Sequence, residues 1–168
     1  MKRSYKGFTL IELLVVIAII GLLSTLAVVA LNSARQRSRD AKRVADIRQV
    51  QTALELGFSE TGEYPFDVSG DTSAILGSST ATVLCKDSVA SPNTSPIWDT
   101  NTAGCASGGT YMGLVPSAPT PPSGNEYRYF SSSTAAYKIM FTLEGDTGQL
   151  KTGANCANSN GIQAGSGC

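Results

Sequence analysis

Residues 6–12 read Lys6-Gly7-Phe8-Thr9-Leu10-Ile11-Glu12, and an uncharged run, LLVVIAIIGLLSTLAVVAL, continues from there to Leu31. At a helical rise of about 1.5 Å per residue, the segment 8–31 would reach about 36 Å, enough to cross a hydrocarbon core of about 30 Å. The segment therefore predicts a membrane-spanning helix. Its one charged side chain is Glu12, and an acid inside a span is costly and usually functional.

A second apolar pattern predicts that the helix continues past the span. Large side chains recur at steps of three and four, as on one face of a helix. These positions are Val44, Ile47, Gln51, Leu54 and Phe58, with Val50 beside them. We interpret the side chains of the other faces as solvated, namely Arg35, Arg39, Arg43, Asp46 and Gln49. A helix from about Thr9 to about Phe58 would be about 75 Å long. Gly62 and Pro65 would then end it.

The remainder of the chain predicts a long loop followed by a small sheet. Residues 66–125 are rich in Ser, Thr and Gly, and indicate a surface loop region in which pieces at 82–84 and 110–115 could pair as strands. Period-two alternation predicts strands at 126–130 and 136–144. One face of the second strand would carry Tyr137, Ile139, Phe141 and Leu143. The predicted fold class is α+β, a long N-terminal helix packed on an antiparallel β-sheet head.

The charges balance overall but are unevenly distributed. Residues 35–48 hold six basic and two acidic side chains, a net +4, whereas the chain from Glu55 onward holds four basic and ten acidic side chains, a net −6. An acidic head argues against sequence-independent nucleic-acid binding through that surface, because neutralising phosphates requires clustered Lys and Arg. Binding of DNA by the basic stretch remains an alternative.

Four cysteines lie beyond the span, at Cys85, Cys105, Cys156 and Cys168. An even number in an extracytoplasmic domain indicates disulfides. Of the three connectivities we favour the two that close short local loops, Cys85–Cys105 and Cys156–Cys168. Zinc is the competing interpretation, but the chain has no histidine and no C-x-x-C pair, which leaves few ligands for the metal.

The sequence predicts no enzyme activity, no cofactor and no metal site. Without histidine, neither a Ser-His-Asp nor a Cys-His arrangement is possible. No phosphate-binding glycine motif stands between a strand and a helix. Calcium is the alternative left open, because the loops carry the carboxylates Asp67, Asp71, Asp87, Asp99, Glu144 and Asp146.

The segment from Lys6 to Val16 resembles the class III signal of bacterial type IV prepilins and of the related type II secretion pseudopilins. The turn Gly62-Glu63-Tyr64-Pro65 resembles the turn that closes the long helix in the same proteins. The resemblance implies cleavage between Gly7 and Phe8 by a prepilin peptidase and N-methylation of Phe8. It also implies that Glu12 of one subunit pairs with the Phe8 amine of a neighbour. A simpler interpretation is that Glu12 snorkels and favours the positive end of the helix dipole.

The implied organisation is a leader (1–7), a transmembrane or filament-core helix (8–31), an amphipathic helix with its closing turn (32–65), the loop region (66–125), and the sheet with its C-terminal disulfide loop (126–168).

The implied function is a structural subunit of a type IV pilus-like filament. It would be a single-pass inner-membrane precursor and then part of an extracellular pilus, assembled by a platform protein and an ATPase. The alternatives are a pseudopilin of type II secretion or DNA uptake, and a single-pass membrane-anchored binding domain. A conventional secretory signal, cut after 28–30, is a further alternative for the apolar segment.

Overall fold

One helix, α1 (Leu10–Thr61), dominates the computed structural model, which describes residues 7–66, 73–87 and 95–168. The predicted leader residues Lys2, Arg3 and Lys6 lie outside those ranges. The helix ends where the sequence predicts, because Gly62 takes a φ of 77° and donates its N–H to the carbonyl of Phe58 at 2.7 Å. The chain divides into two compact units, the first running to Gln36 and the second starting at Arg37.

The strands of the second unit form two antiparallel sheets. In chain order they are β1 (Ser73–Leu76), β2 (Val83–Asp87), β3 (Pro96–Asp99), β4 (Cys105–Met112), β5 (Tyr127–Ser133), β6 (Ala136–Leu143), β7 (Gly153–Asn158) and β8 (Gly161–Ala164). Five strands form the larger sheet in the order β1-β5-β6-β7-β8, and three form the smaller one in the order β3-β2-β4. The predicted α+β fold, with a long helix on an antiparallel sheet, is confirmed.

The core of the second unit lies between α1 and the larger sheet. Ile47, Val50 and Leu54 of α1 are completely buried and belong to the same apolar cluster as the inner face of β6. That inner face consists of the side chains predicted from the period-two pattern, Tyr137, Ile139, Phe141 and Leu143, all of which are buried. Alternation along β6 therefore identified the buried side of the sheet correctly.

The buried face of α1 differs from the predicted one. Val44, Gln51 and Phe58 are only partly buried, and the centre of the face is shifted toward Arg43 and Asp46, which were predicted to be solvated. Arg43 is 0% exposed and Asp46 is 8% exposed. The prediction was wrong here because it assigned charged side chains to solvent, whereas Arg43 and Asp46 both find buried polar partners in the sheet unit.

The region predicted as a Ser/Thr/Gly-rich loop, 66–125, instead contains four of the strands. β2 pairs with both β3 and β4, and β1 joins the edge of the larger sheet by pairing with β5, Ser73 opposite Phe130. The pieces expected near 82–84 and 110–115 correspond to parts of β2 and β4. These strands have four to eight residues, and their pairing across long sequence separations leaves little periodicity in the local sequence.

The C-terminal tail also forms part of the larger sheet. β7 pairs with β6, with Met140 opposite Cys156, and β8 folds back on β7 in a hairpin. The side chain of Asn155 is completely buried and bonds to the backbone of Lys151 and Gly153. The tail is therefore held by strand pairing as well as by a disulfide.

Candidate functional site

The N-terminal end of α1 is closed by a reciprocal pair of hydrogen bonds between Thr9 and Glu12. The backbone N–H and the hydroxyl of Thr9 donate to Oε2 of Glu12 at 2.8 and 2.7 Å, and the backbone N–H of Glu12 donates to Oγ1 of Thr9 at 3.3 Å. This is a capping box, in which residues three apart satisfy each other's free N–H groups. The carboxylate thus stabilises the start of the helix, as the simpler sequence interpretation suggests. Among the described residues no cation contacts it.

The predicted cleavage site lies directly before this cap and is open to solvent. Gly7 is exposed and non-helical, and a Cβ placed on it would have no atom within 4 Å. Phe8 is 85% exposed. The fold of the described residues therefore places no steric requirement for glycine at position 7. Cleavage there, and methylation of Phe8, stay predictions.

The first part of α1 presents its apolar side chains to the outside on all sides. A soluble domain would be expected to bury such groups, but the large apolar side chains from Leu10 to Leu31 are about half exposed or more. Within the described residues, α1 is also the one helix that is long and apolar enough to cross a membrane, and none of its most apolar segment is buried. A helix that is hydrophobic all round needs lipid or other protein around it.

A buried ionic cluster attaches α1 to the sheet unit. Arg43 donates from Nη1 to Asp40 at 2.6 Å and to Glu144 at 2.7 Å, and Arg39 donates to both oxygens of Glu144 at 2.7 and 2.6 Å. The hydrogen bonds from Arg39, opposed by burial, lower the pKa of Glu144 to about 2. Glu144 follows β6 directly, so the cluster fixes the end of that strand to the helix.

Backbone groups complete the same cluster. Asp40 accepts the N–H groups of Glu144 and Gly145 at 3.0 and 2.9 Å, and Arg43 donates from Nη2 to the carbonyls of Pro119 and Pro121 at 3.0 and 2.8 Å. Because these partners lie 76 to 105 residues away in the chain, no local sequence pattern indicates them. The one available signal is the i,i+3 spacing of Asp40 and Arg43, which suits an ion pair on a helix.

Two further polar contacts tie tyrosines of the core to α1 and to its closing turn. The hydroxyl of Tyr127 donates to Oδ2 of Asp46 at 3.0 Å, and that of Tyr129 donates to the carbonyl of Pro65 at 2.8 Å. Burial raises the pKa of Asp46 and that of Tyr127. Both hydroxyls thus satisfy groups that burial would otherwise leave unpaired.

The four cysteines form two disulfides, in the pairing that the sequence favours. Cys85 of β2 is bonded to Cys105 at the start of β4, with Cα atoms 5.6 Å apart. Cys156 of β7 is bonded to Cys168, with Cα atoms 6.0 Å apart. The first disulfide joins two strands of the smaller sheet, and the second closes the chain end onto the larger one.

The carboxylates considered for calcium do not converge. Asp67 and Asp71 lie outside the described residues, while Glu144 is held by two arginines and Asp146 bonds to Lys151 at 2.9 Å. In the ranges that the structure describes, no three His, Cys, Asp or Glu side chains are grouped as metal ligands.

Comparisons with known proteins bear on the N-terminal segment and on the whole chain. The family described as the prokaryotic N-terminal methylation motif matches residues 2–28. Type II secretion system core protein G of Vibrio cholerae is 27% identical over 160 residues, which cover 94% of each chain. The core protein G of Pseudomonas aeruginosa is 25% identical over 145 residues, 86% of this chain and 87% of its own.

A second kind of relative matches a shorter part. The type IV major fimbrial protein FimA of Dichelobacter nodosus is 41% identical over 66 residues, 38% of this chain and 42% of that protein. The chain thus spans nearly all of the Vibrio cholerae core protein G and less than half of FimA. No solved structure gives a significant match.

Proposed function

We propose that this chain, a member of the bacterial type IV pilin and type II secretion pseudopilin family, is a structural subunit of a type IV pilus-like filament. A prepilin peptidase would cut between Gly7 and Phe8 on the cytoplasmic side of the inner membrane, and Phe8 would be methylated. The mature chain would wait in the membrane as a single-pass protein and then enter an extracellular filament. Its role is mechanical, without bond chemistry of its own.

The observation that carries the proposal is the exposed apolar first part of α1. Each large side chain moved from water into an apolar environment stabilises by about 1.5–3 kcal/mol. Residues such as Leu10, Ile17 and Val29 are 81%, 62% and 71% exposed in the single chain. Lipid covers them before assembly, and the same helices of neighbouring subunits cover them afterward, so the filament keeps this stabilisation while releasing the subunit from the membrane.

Glu12 supplies the polar element of this apolar packing. Cleavage would place a positive amine on Phe8, one residue before the N–H of Thr9 that Glu12 accepts at 2.8 Å. A carboxylate in an apolar filament core is best stabilised by an opposite charge. We propose that Glu12 of an incoming subunit pairs with the Phe8 amine of a neighbour, which fixes the axial position of the new subunit.

Assembly requires partners that this chain does not contain. The family resemblance implies a prepilin peptidase, an inner-membrane platform protein and an ATPase that drives subunits out of the membrane. The main partner is a second copy of the chain. The acidic excess from Glu55 onward argues against nucleic acid as a partner of that surface.

A pseudopilin of the type II secretion system is the second candidate. The specific observation in its favour is that the alignment with the Vibrio cholerae core protein G runs through 94% of both chains and so includes the sheet unit. The match to FimA, although higher in identity, covers 42% of that protein. A pseudopilus subunit would use the same helix and the same acid.

Two measurements test the proposal. The mass of the mature chain should correspond to a polypeptide that starts at Phe8 and is one methyl group heavier; an intact Met1 or a start at Leu31 would contradict it. Electron microscopy of fibres sheared from the producing cells, with identification of their main protein, should then find this chain. Fibres seen only when a secretion system is overproduced would assign it to the pseudopilins, and an unprocessed single-pass protein would support an anchored binding domain.

A further inference from the structure

Four basic side chains on α1 form no salt bridge in the part of the chain that the structure describes, although Lys42 lies near enough to Asp46 to counteract the rise in its pKa. Elsewhere in that part, the cations contact carboxylates, as Lys86 contacts Glu60, or a ring, as Lys138 contacts Phe130. The remaining basic side chains contact Glu126, Glu144 or Asp146. The four without such a contact all fall in the stretch 35–48 and are all exposed, namely Arg35, Arg37, Lys42 and Arg48.

Arg48 lies on the same side of α1 as an exposed acid. Glu55 follows Arg48 by seven residues, and seven steps of about 100° return to within about 20° of the starting direction. Thr52, which lies between them on this side, is exposed as well. This row of Arg48, Thr52 and Glu55, which we call the outer ridge, is exposed in the single chain, although the carboxylate of Glu55 also contacts the hydroxyl of Tyr64 and lies near that of Tyr137.

The two charges of the outer ridge cannot neutralise each other within one chain. Seven residues correspond to about 10.5 Å along the helix axis, whereas side-chain pairs on a helix form between residues three or four apart. In the structure the carboxylate of Glu55 accepts the hydroxyl of Tyr64 at 2.9 Å, and no cation of the described residues contacts it. Arg48 and Glu55 are therefore complementary charges held at a fixed separation.

We infer that Arg48 of one subunit forms an ion pair with Glu55 of a neighbouring copy that is displaced by about two helical turns along the filament. This inference rests on the proposed function, because it needs copies packed side by side. Parallel helices displaced by seven residues present equivalent positions to one another, as in heptad packing. Each subunit then donates one arginine to one neighbour and accepts another through its glutamate, so the contact repeats along the filament.

The sign of the charges favours a second copy over a lipid or nucleic-acid surface. A polyanionic surface facing the outer ridge would meet Glu55 next to Arg48, and like charges at such a distance repel. The chain from Glu55 onward also carries a net −6 by its ten acids and four bases. A second copy offers both signs at the same spacing.

Charge reversal tests the inference in the full-length chain. Arg48→Glu and Glu55→Arg alone should each lower the yield of sheared fibres several-fold, because each brings like charges together. The double variant restores the complementarity and should recover most of the yield. Arg35→Glu makes the same change of net charge on another exposed part of the helix and should leave the yield near that of the wild type.

Glu55→Gln separates this contact from the bond inside the chain. The amide oxygen still accepts the Tyr64 hydroxyl but carries no charge, so a lower fibre yield at unchanged thermal stability in detergent supports the contact between copies.

Two results of the charge-reversal experiment would overturn the inference. One is a fibre yield of Arg48→Glu equal to that of the wild type, and the other is a double variant whose yield is no better than that of the worse single variant. Absence of fibres from the wild type would instead contradict the proposed function itself. If Arg48→Glu forms fibres normally but, unlike the wild type, does not bind anionic vesicles, then the outer ridge contacts lipid and not a second copy.

Discussion

The guanidinium of Arg43 and the carboxylate of Glu144 lie 2.7 Å apart and join the middle of α1 to the end of β6. Arg43 is 0% exposed and also contacts Asp40 and the carbonyls of Pro119 and Pro121. One side chain thus holds together three segments that are far apart in the sequence. Any force applied to the helix in a filament would reach the sheet unit partly through this contact.

Replacing Arg43 by methionine should strongly destabilise the sheet unit. Methionine has a similar length but leaves the buried Asp40 carboxylate without its cation, and breaking a buried ion pair from one side typically costs about 3–5 kcal/mol. For a chain of this size, that loss corresponds to a fall in the unfolding temperature of roughly 6–20 °C. Thermal unfolding of the full-length chain in detergent, followed by near-UV circular dichroism, measures it.

The matched control is Arg48→Met, which makes the same change at an exposed position of the same helix. A surface substitution of this kind should alter the free energy of unfolding by no more than about 0.5 kcal/mol. Equal effects of Arg43→Met and Arg48→Met would mean that the buried cluster contributes little to stability.

Acidification should weaken the fold through Glu144. The arginine hydrogen bonds lower its pKa from the ordinary 4.5 to about 2, so the ionised form stabilises the folded state. That contribution is fully present above about pH 5 and is lost as the pH falls through the interval from 4.5 to about 2. Urea unfolding at a series of pH values should therefore show a decline in stability across that interval.

Glu144→Gln should be less stable than the wild type at neutral pH and should show a shallower decline in acid. Asp146→Asn is the control, because the exposed Asp146 also has its pKa lowered to about 2, chiefly by Lys151, but does not contact α1 in the described structure. Because exposed ion pairs contribute little to stability, Asp146→Asn should change both the stability at neutral pH and the acid decline much less than Glu144→Gln does. An acid profile of Glu144→Gln that parallels the wild-type profile would show that other carboxyls govern the transition.

Local patterns in the sequence are sufficient for the helix and for β6. The apolar run, the 3.6-residue spacing and the Gly62 stop each depend on neighbours within a few residues, and the structure places α1 accordingly, at Leu10–Thr61. The alternation of Tyr137 and Ile139 likewise reflects which side of one strand is buried. Such features are predictable because their cause is local.

The burial of Arg43 and the strands of the loop region have causes that are not local. An arginine on a helix is ordinarily solvated. The burial of Arg43 is favourable because Glu144, 101 residues away, and the carbonyls of Pro119 and Pro121 contact it in addition to Asp40. In the same way, β1 is a strand because β5 lies beside it. The capping role of Glu12 also has a local signal, the Thr-x-x-Glu spacing, which was not used in interpreting Glu12 from the sequence.

Replacing Gly7 by leucine should leave the precursor uncut. A side chain at position 7 would meet no atom of the described chain within 4 Å, so a failure of processing would reflect exclusion from the peptidase and not misfolding. The measurement is an immunoblot of membranes, in which the precursor and the mature chain differ by the leader. Gly21→Leu, which also places a side chain in open space, should be processed normally. Equal processing of both variants would contradict the proposed cleavage site.

Substitutions of Glu12 should separate its two possible roles, capping the helix and pairing with the Phe8 amine. Glu12→Ala removes both the hydrogen-bond acceptor and the charge, and we expect it to be processed and inserted in the membrane but to be depleted from fibres. Glu12→Gln keeps an oxygen that can accept the Thr9 N–H, since glutamine also serves in a capping box, but it has no charge. If the amine contact governs assembly, glutamine should be as defective as alanine. The ratio of each variant in sheared fibres to that in membranes measures this, and fibre incorporation restored by glutamine would assign the acid to the helix cap alone.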